Sequence, residues 1–189
     1  MGEHEEKIEI MRKYLTDMTA AGNYHVKGNI PSKKIDNALQ TFAQGMDRTT
    51  MLGFLDTTVF GSGKNGYIFT DDKMYYVETM EKPKKLWYDD IKQLRILKSS
   101  KKDCNRELAI DFLDGSTFYI EGSFINKTPL KNFLNEMKNF EANKKAEKKK
   151  IENEKKNNFG AESAGRGIGA FRTVNNQFEE EKFHSRQGH

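Results

Sequence analysis

Little in this chain invites chemistry at cysteine, histidine or proline. Its 189 residues include one cysteine, three prolines, one tryptophan and four histidines. A single thiol, Cys104, excludes a disulfide framework within the chain and suits a reducing compartment. His4, His25, His184 and His189 are scattered, with no cysteine or placed carboxylate beside them, so no zinc motif is written. No stretch approaches the roughly 18 apolar residues of a membrane-spanning helix. The acidic start, from Met1 to Lys7, has neither the basic region nor the apolar run of a secretory signal. Gly2 is present, but Glu6 stands where a myristoylation signal needs Ser or Thr. A cytoplasmic location is the expectation. Charge of one sign is missing too: 32 Lys and Arg face 28 Asp and Glu, for a net +4. That balance permits contact with nucleic acid or anionic lipid and requires neither.

What is present divides into two populations. Residues 30–140 are rich in Ile, Leu, Phe and Tyr; residues 141–189 are rich in Lys, Glu, Asn and Gly. The pattern predicts one packed domain with solvated extensions. Ile8, Met11, Leu15 and Met18 recur at helical spacing, and Gly22-Asn23 stops the run. Pro31-Ser32 opens a second helix with Ser32 as N-cap, carrying Ile35, Leu39 and Phe42 on one face and ending at Gly45. Leu52, Phe54 and Leu55 lead into β-branched Thr57, Thr58 and Val59, then Phe60, which reads as a strand. Gly61 to Gly66 is a flexible turn. Tyr67–Phe69 and Met74–Thr79 are strands around the polar Thr70–Lys73 turn. Leu86-Trp87-Tyr88 starts the next, and Ile91, Leu94 and Ile96 extend the pattern. Leu108, Ile110 and Phe112 alternate with Ala109 and Asp111, Asp114-Gly115 is a hairpin turn, and Phe118 and Ile120 alternate on the far side. Thr128-Pro129 opens a closing helix, with Thr as cap and Pro at the first helical position. Its stripe is Leu130, Phe133, Leu134, Met137 and Phe140. Glu141–Asn158 extends it as a charged, solvated stalk supported by i,i+4 pairs. Phe159–Gly169 reads as a loop. Phe171, Val174, Phe178 and Phe183 suit a short helix only against a partner.

No catalytic set is legible. Gly61-Ser-Gly-Lys64 lacks the spacing, the Ser or Thr after Lys, and the following helix of a phosphate loop. Gly165-x-Gly-x-Gly169 lacks the strand and last spacing of a dinucleotide fingerprint. Asp71-Asp72 and Asp89-Asp90 are adjacent, and neighbours on a strand face opposite ways, so neither pair forms an acid–base couple. Tyr67, Phe69, Tyr76 and Trp87 read as sheet core. The Lys144–Lys156 run is diluted by Glu147, Glu152 and Glu154 and has no interleaved aromatics, so it reads as a stalk, with nonspecific nucleic-acid contact as the other reading.

Three segments carry a family resemblance: Val59–Tyr76, Trp87–Ile91, and the Asp114-Gly115 hairpin with the helix after Thr128. Antiparallel strands followed by one amphipathic helix resemble a bacterial pleckstrin-homology-like (PH-like) domain over residues 31–140. The fold class expected is α+β with a mainly β core. The resemblance implies a seven-stranded, bent antiparallel sheet or partly open barrel, capped by a C-terminal helix and preceded by N-terminal helices. It also implies a role in binding lipid headgroups, peptides or protein domains rather than catalysis. Gly165–Asn175 and Glu181–His189 resemble the junction leading, in longer bacterial PH-like proteins, to a further C-terminal region of nuclease-like type.

The boundaries expected are an N-terminal helix and connector at 1–29, a PH-like domain at 30–141, a charged helical extension at 142–158 and a Gly-rich tail at 159–189. The function expected is a non-catalytic binding or targeting module without cofactor or metal, whose partner is a protein or an anionic lipid surface. The other readings are a regulatory part of a larger nucleic-acid-processing effector, and a small immunity protein that acts by binding. The residues singled out for anion or partner binding are Lys82, Lys84 and Lys85 in one strand connection and Lys98, Lys101 and Lys102 in the next. Clustered ammonium groups suit phosphate or an acidic surface.

Overall fold

A computed structural model describes residues 2–19, 23–78, 81–97, 100–122 and 124–163, with side chains to residue 155. The chain divides into two units, Met1–Lys148 and Lys149–His189. The first holds α1 (Glu3–Met18), β1 (Tyr24–Val26), α2 (Ser32–Thr41), β2 (Met51–Asp56), β3 (Gly66–Thr70), β4 (Lys73–Val77), β5 (Lys84–Trp87), β6 (Ile91–Ile96), β7 (Leu108–Phe112), β8 (Thr117–Ile120) and the start of α3 (Lys127–Ser163). The protein is α+β. One antiparallel sheet has the order β1-β2-β3-β4-β5, and a second has the order β6-β7-β8; they do not close into a barrel. Seven strands, β2 to β8, precede the closing helix, and an eighth, β1, lies where a connector was expected: Tyr24, His25 and Val26 pair with Leu55, Phe54 and Gly53 and add an edge.

The first sheet is covered on both faces, which is why β2 and β3 are buried at every position. On one face, Tyr67, Phe69, Met74, Tyr76 and Leu86 meet Leu108, Ile110 and Ile120 of the second sheet and the α3 stripe of Leu130, Phe133, Leu134 and Met137. On the other, Met51, Phe54, Ile68, Tyr75 and Val77 pack under Ala38 of α2 and under Phe42, Ala43 and Met46 in the segment that follows it. Helix α1 belongs to the main core: Ile8, Met11, Leu15 and Met18 are all buried in it. Gly53 permits this approach, since a Cβ there would lie 3.0 Å from Met11 Cγ and 3.2 Å from Leu15 Cδ2. Phe133 is the hub of α3, with edge-on rings of Phe69 at 5.1 Å and Tyr88 at 6.0 Å.

Several local expectations are corrected. Ser32 is the first residue of α2; Pro31 is the N-cap and makes no side-chain capping bond. Thr57–Phe60 is not strand: β2 stops at Asp56, whose carboxylate accepts from the Thr58 amide at 2.9 Å and turns the chain. Strand β5 ends at Trp87, and Tyr88–Asp90 is a single 3₁₀ turn before β6. Lys84 and Lys85 lie on β5 rather than in a loop. Helix α3 starts at Lys127, so Thr128 and Pro129 are its second and third residues. Thr128 does not cap; instead its amide and hydroxyl donate to Asp103 Oδ2 and Oδ1 at 2.7 and 2.6 Å, a cap supplied from the β6–β7 connection. Pro129 is tolerated because a first-turn N–H has no helical acceptor. The helix runs to Ser163, past Phe159 where a loop was expected, because its Glu- and Lys-rich turns contain no breaker before Gly160. The expectations for Gly22, Thr79, Lys98, residues 164–169 of the loop, the Gly165–Gly169 motif, the tail helix at Phe171–Phe183, and His184 and His189 lie outside the described residues.

Candidate binding site

Antiparallel pairing sends the β2–β3 and β4–β5 connections to the same end of the first sheet, where Asp56, Gly66 and Val77 lie in register. The β6–β7 connection reaches that end as well. A Cβ on Gly122 would collide with the Glu78 carboxylate, so the residues after β8 touch the start of the β4–β5 connection. Lys127, fully buried, then donates to the carbonyls of Gly122 at 2.5 Å, Ile125 at 2.8 Å and Cys104 at 2.9 Å. Three carbonyls satisfy all three ammonium hydrogens, while burial lowers the Lys127 pKa, opposed by the charge of Glu78. Cys104 is half-buried and supplies its carbonyl to this joint.

The β2–β3 connection is organised by a buried anion of the protein itself. The Asp56 side chain has no exposed surface and accepts from Lys34 Nζ at 2.9 Å, Thr58 Oγ1 at 2.5 Å and the Gly63 amide at 3.1 Å. Burial acts to raise its pKa, but the bonds from Thr58 and Lys34 outweigh it and hold the carboxyl below its ordinary value. Asn37 Nδ2 donates to the Ser62 carbonyl at 2.7 Å, fastening the loop to α2. The loop is therefore held, not flexible as its glycines suggested. Its amides cradle Asp56 where a phosphate loop would cradle a nucleotide. Past this anchor, Val59 is 83% and Phe60 95% exposed, an apolar pair at the tip.

The six lysines chosen from sequence separate into three groups. Lys82, Lys101 and Lys102 are exposed in the connections at this end and show no side-chain ion pair among the described residues. Lys84 and Lys85 are strand residues: Lys84 pairs with Glu81 at 2.8 Å and lies over the Phe118 ring at 4.5 Å, and Lys85 lies 5.5 Å from the Tyr75 ring. Lys98 lies outside the described residues. Phe60, Asp56 and Glu81 were missed. The Asp56 loop had a legible signal in its Asp-x-Thr turn signature followed by three glycines; Phe60 had none, because an aromatic after β-branched residues looks the same in a strand as at a loop tip.

The adjacent carboxylates are committed separately. Asp71 Oδ1 meets His4 Nδ1 at 2.6 Å, Asp72 Oδ2 meets Lys73 Nζ at 2.9 Å, and Asp89 Oδ2 meets Lys145 Nζ at 2.7 Å. Among the described residues no group of three His, Cys, Asp or Glu side chains is arranged to hold a metal ion, and no helix is long and apolar enough to cross a membrane. Lys144 and Lys145 at the head of the basic run are paired with Glu3 and Asp89. Tyr67, Phe69 and Tyr76 are core, whereas Trp87 is 41% exposed with Lys73 Nζ 3.7 Å above its ring.

No family model, no curated protein and no solved structure matches this chain.

Proposed function

We propose that this protein is a non-catalytic recognition module of PH-like type that docks through the end formed by its β2–β3, β4–β5 and β6–β7 connections. The partner is a protein with an acidic face that also offers an apolar contact. The observation that carries the reading is Phe60: an aromatic side chain 95% exposed on a loop anchored by a buried ion pair. Aromatics placed at such exposed, pre-organised positions act as anchors in interfaces, and lysines around them steer an acidic partner. Among the described residues, Lys64, Lys82, Lys101 and Lys102 are the exposed lysines of the three connections. A meander of four strands, a second sheet of three and a closing helix support the PH-like assignment.

The same pairing of an apolar tip with lysines favours one second reading, an anionic membrane surface. Capture from native cell extract with wild-type and Phe60→Ser protein tests the first: the partner should be retained by wild type and lost with Phe60→Ser at unchanged thermal stability. Flotation with phosphatidylserine vesicles tests the second. Vesicle binding that Phe60→Ser and a Lys82→Glu, Lys101→Glu, Lys102→Glu triple variant both abolish would move the assignment from protein to membrane. Loss of neither interaction in either variant would overturn the docking face.

A further inference from the structure

The corner between β4–β5 and the β7–β8 hairpin holds a cleft of about 370 Å³. Its walls include Met74, Leu86, Phe112 and Phe118, an apolar lining within the roughly 300–1,000 Å³ range of small-ligand pockets. Two lysines line it, Lys84 and Lys85, and pairing places only Lys84 on the inner face. Lys84 is the register partner of Tyr76, and Leu86 of Met74, so all four point to the face that meets the second sheet. An ammonium group aimed toward a core from an edge strand is unusual.

Its partner is informative. Glu81 Oε2 accepts from Lys84 Nζ at 2.8 Å and from Tyr76 Oη at 3.4 Å. A carboxylate thus already stands at the mouth between a cation and a phenol, and it belongs to the loop rather than to either wall. Lys84 and Glu81 are 38% and 40% exposed and three residues apart. A pair so exposed contributes little, so a carboxylate from outside exchanges for Glu81 at little cost. Burial, reinforced by Glu78 and Glu81, pushes the Tyr76 phenol well up, so it stays a donor at neutral pH.

We infer that this cleft binds a small anionic amphiphile, a carboxylic acid whose apolar body lies against Phe112, Phe118, Met74 and Leu86 while its carboxylate displaces Glu81 from Lys84 and Tyr76. Glu81 belongs to the β4–β5 connection of the docking end, but the cleft does not involve Phe60, so failure of ligand binding here leaves the docking reading untouched. An inward lysine on an edge strand also blocks strand addition. That purely protective role requires no ligand and no competition by Glu81.

The test titrates the full chain with sodium decanoate, and with decanol as the uncharged control, followed by heteronuclear NMR. Decanoate should shift the resonances of Tyr76, Leu86, Phe112 and Phe118. Lys84→Met keeps a long apolar side chain and removes the charge; it should weaken decanoate roughly tenfold, the loss of one charge-assisted bond, and leave decanol unchanged. Glu81→Gln removes the internal competitor and should tighten decanoate about threefold. Thermal melts confirm that both variants fold. Shifts confined to other surfaces, equal effects on decanoate and decanol, weaker decanoate binding by Glu81→Gln, or no saturable binding by wild type and Glu81→Gln would each overturn the assignment.

Discussion

Lys7 and Glu141 stand 134 positions apart in the chain and meet at 2.6 Å, Nζ to Oε1, across the junction of α1 and α3. The Lys7 side chain is 2% exposed and Glu141 18%. Lys7 also donates to Glu3 Oε1 and to the Asp71 carbonyl, both at 2.9 Å, so one ammonium ties the first helix, the β3–β4 turn and the closing helix together. Burial acts to lower its pKa, but Glu141 and Glu3 outweigh that and raise it.

Glu141→Ala should therefore destabilise by about 3 kcal/mol, since it leaves a buried ammonium short of its nearest anion. Lys7→Met combined with Glu141→Leu should recover most of that loss, because an apolar pair avoids the desolvation penalty altogether. Urea denaturation of Lys7→Met, Glu141→Leu and their double supplies the cycle; additive losses would show that the two side chains act independently.

Glycine positions that look equivalent in sequence should respond unequally. Gly63 has φ +73°, and a Cβ there would lie 2.8 Å from the Lys34 carbonyl oxygen, while Gly115 has φ +88° and open space around it. Gly115→Ala should cost only the left-handed backbone strain, about 1 kcal/mol. Gly63→Ala should cost clearly more, because α2 must move away from the loop. Chemical denaturation ranks them, and a Gly63→Ala loss no greater than that of Gly115→Ala would contradict the packing.

Removing the borrowed cap should loosen one turn of α3. Asp103→Ala deprives Thr128 of both its acceptors. A loss of about 1 kcal/mol is expected, together with faster amide exchange at Thr128 and unchanged exchange in the middle of α3.

Acid should weaken the fold over a defined interval. Glu3 is held down to about 2 from an ordinary 4.5, first by the bond from Lys144 and then by that from Lys7, and Asp56 is also lowered. Groups depressed in the folded state stabilise it fully above their unfolded values, and that contribution is lost as pH falls through the folded ones. The melting temperature should be level above pH 5 and decline from about pH 4.5 toward pH 2. Asp56→Asn should be less stable at neutral pH and show a shallower decline; an identical slope would remove Asp56 from the set.

Much of the architecture was legible because periodicity reports burial directly. The stripe from Ile8 to Met18 marked α1, alternation marked β7 and β8, Asp114-Gly115 marked their turn, and the stripe from Leu130 to Met137 marked α3. The site was less legible. Lys84 and Phe60 were misplaced for one reason: sequence assigns charge to loops and aromatics to cores on average, and both residues break the average at places where two segments meet. Lys84 lies inward because its ammonium sits over the Phe118 ring at 4.5 Å and the Tyr76 ring at 5.5 Å while reaching Glu81.

By itself the sequence determined most of the helices and strands, because these depend on local spacing, turn residues and propensity; it misread β1 as a connector, Thr57–Phe60 as strand, Lys84–Lys85 as loop and the end of α3 as loop. Only the tertiary structure decided that α1 shares the main core, that Asp103 caps a helix beginning 24 residues later, that Asp56 locks the glycine loop against α2, and that a lysine guards the mouth between the sheets. Each of these is a pairing of distant residues. Its free energy depends on distance and burial in the folded chain, and neither quantity is written in residue order.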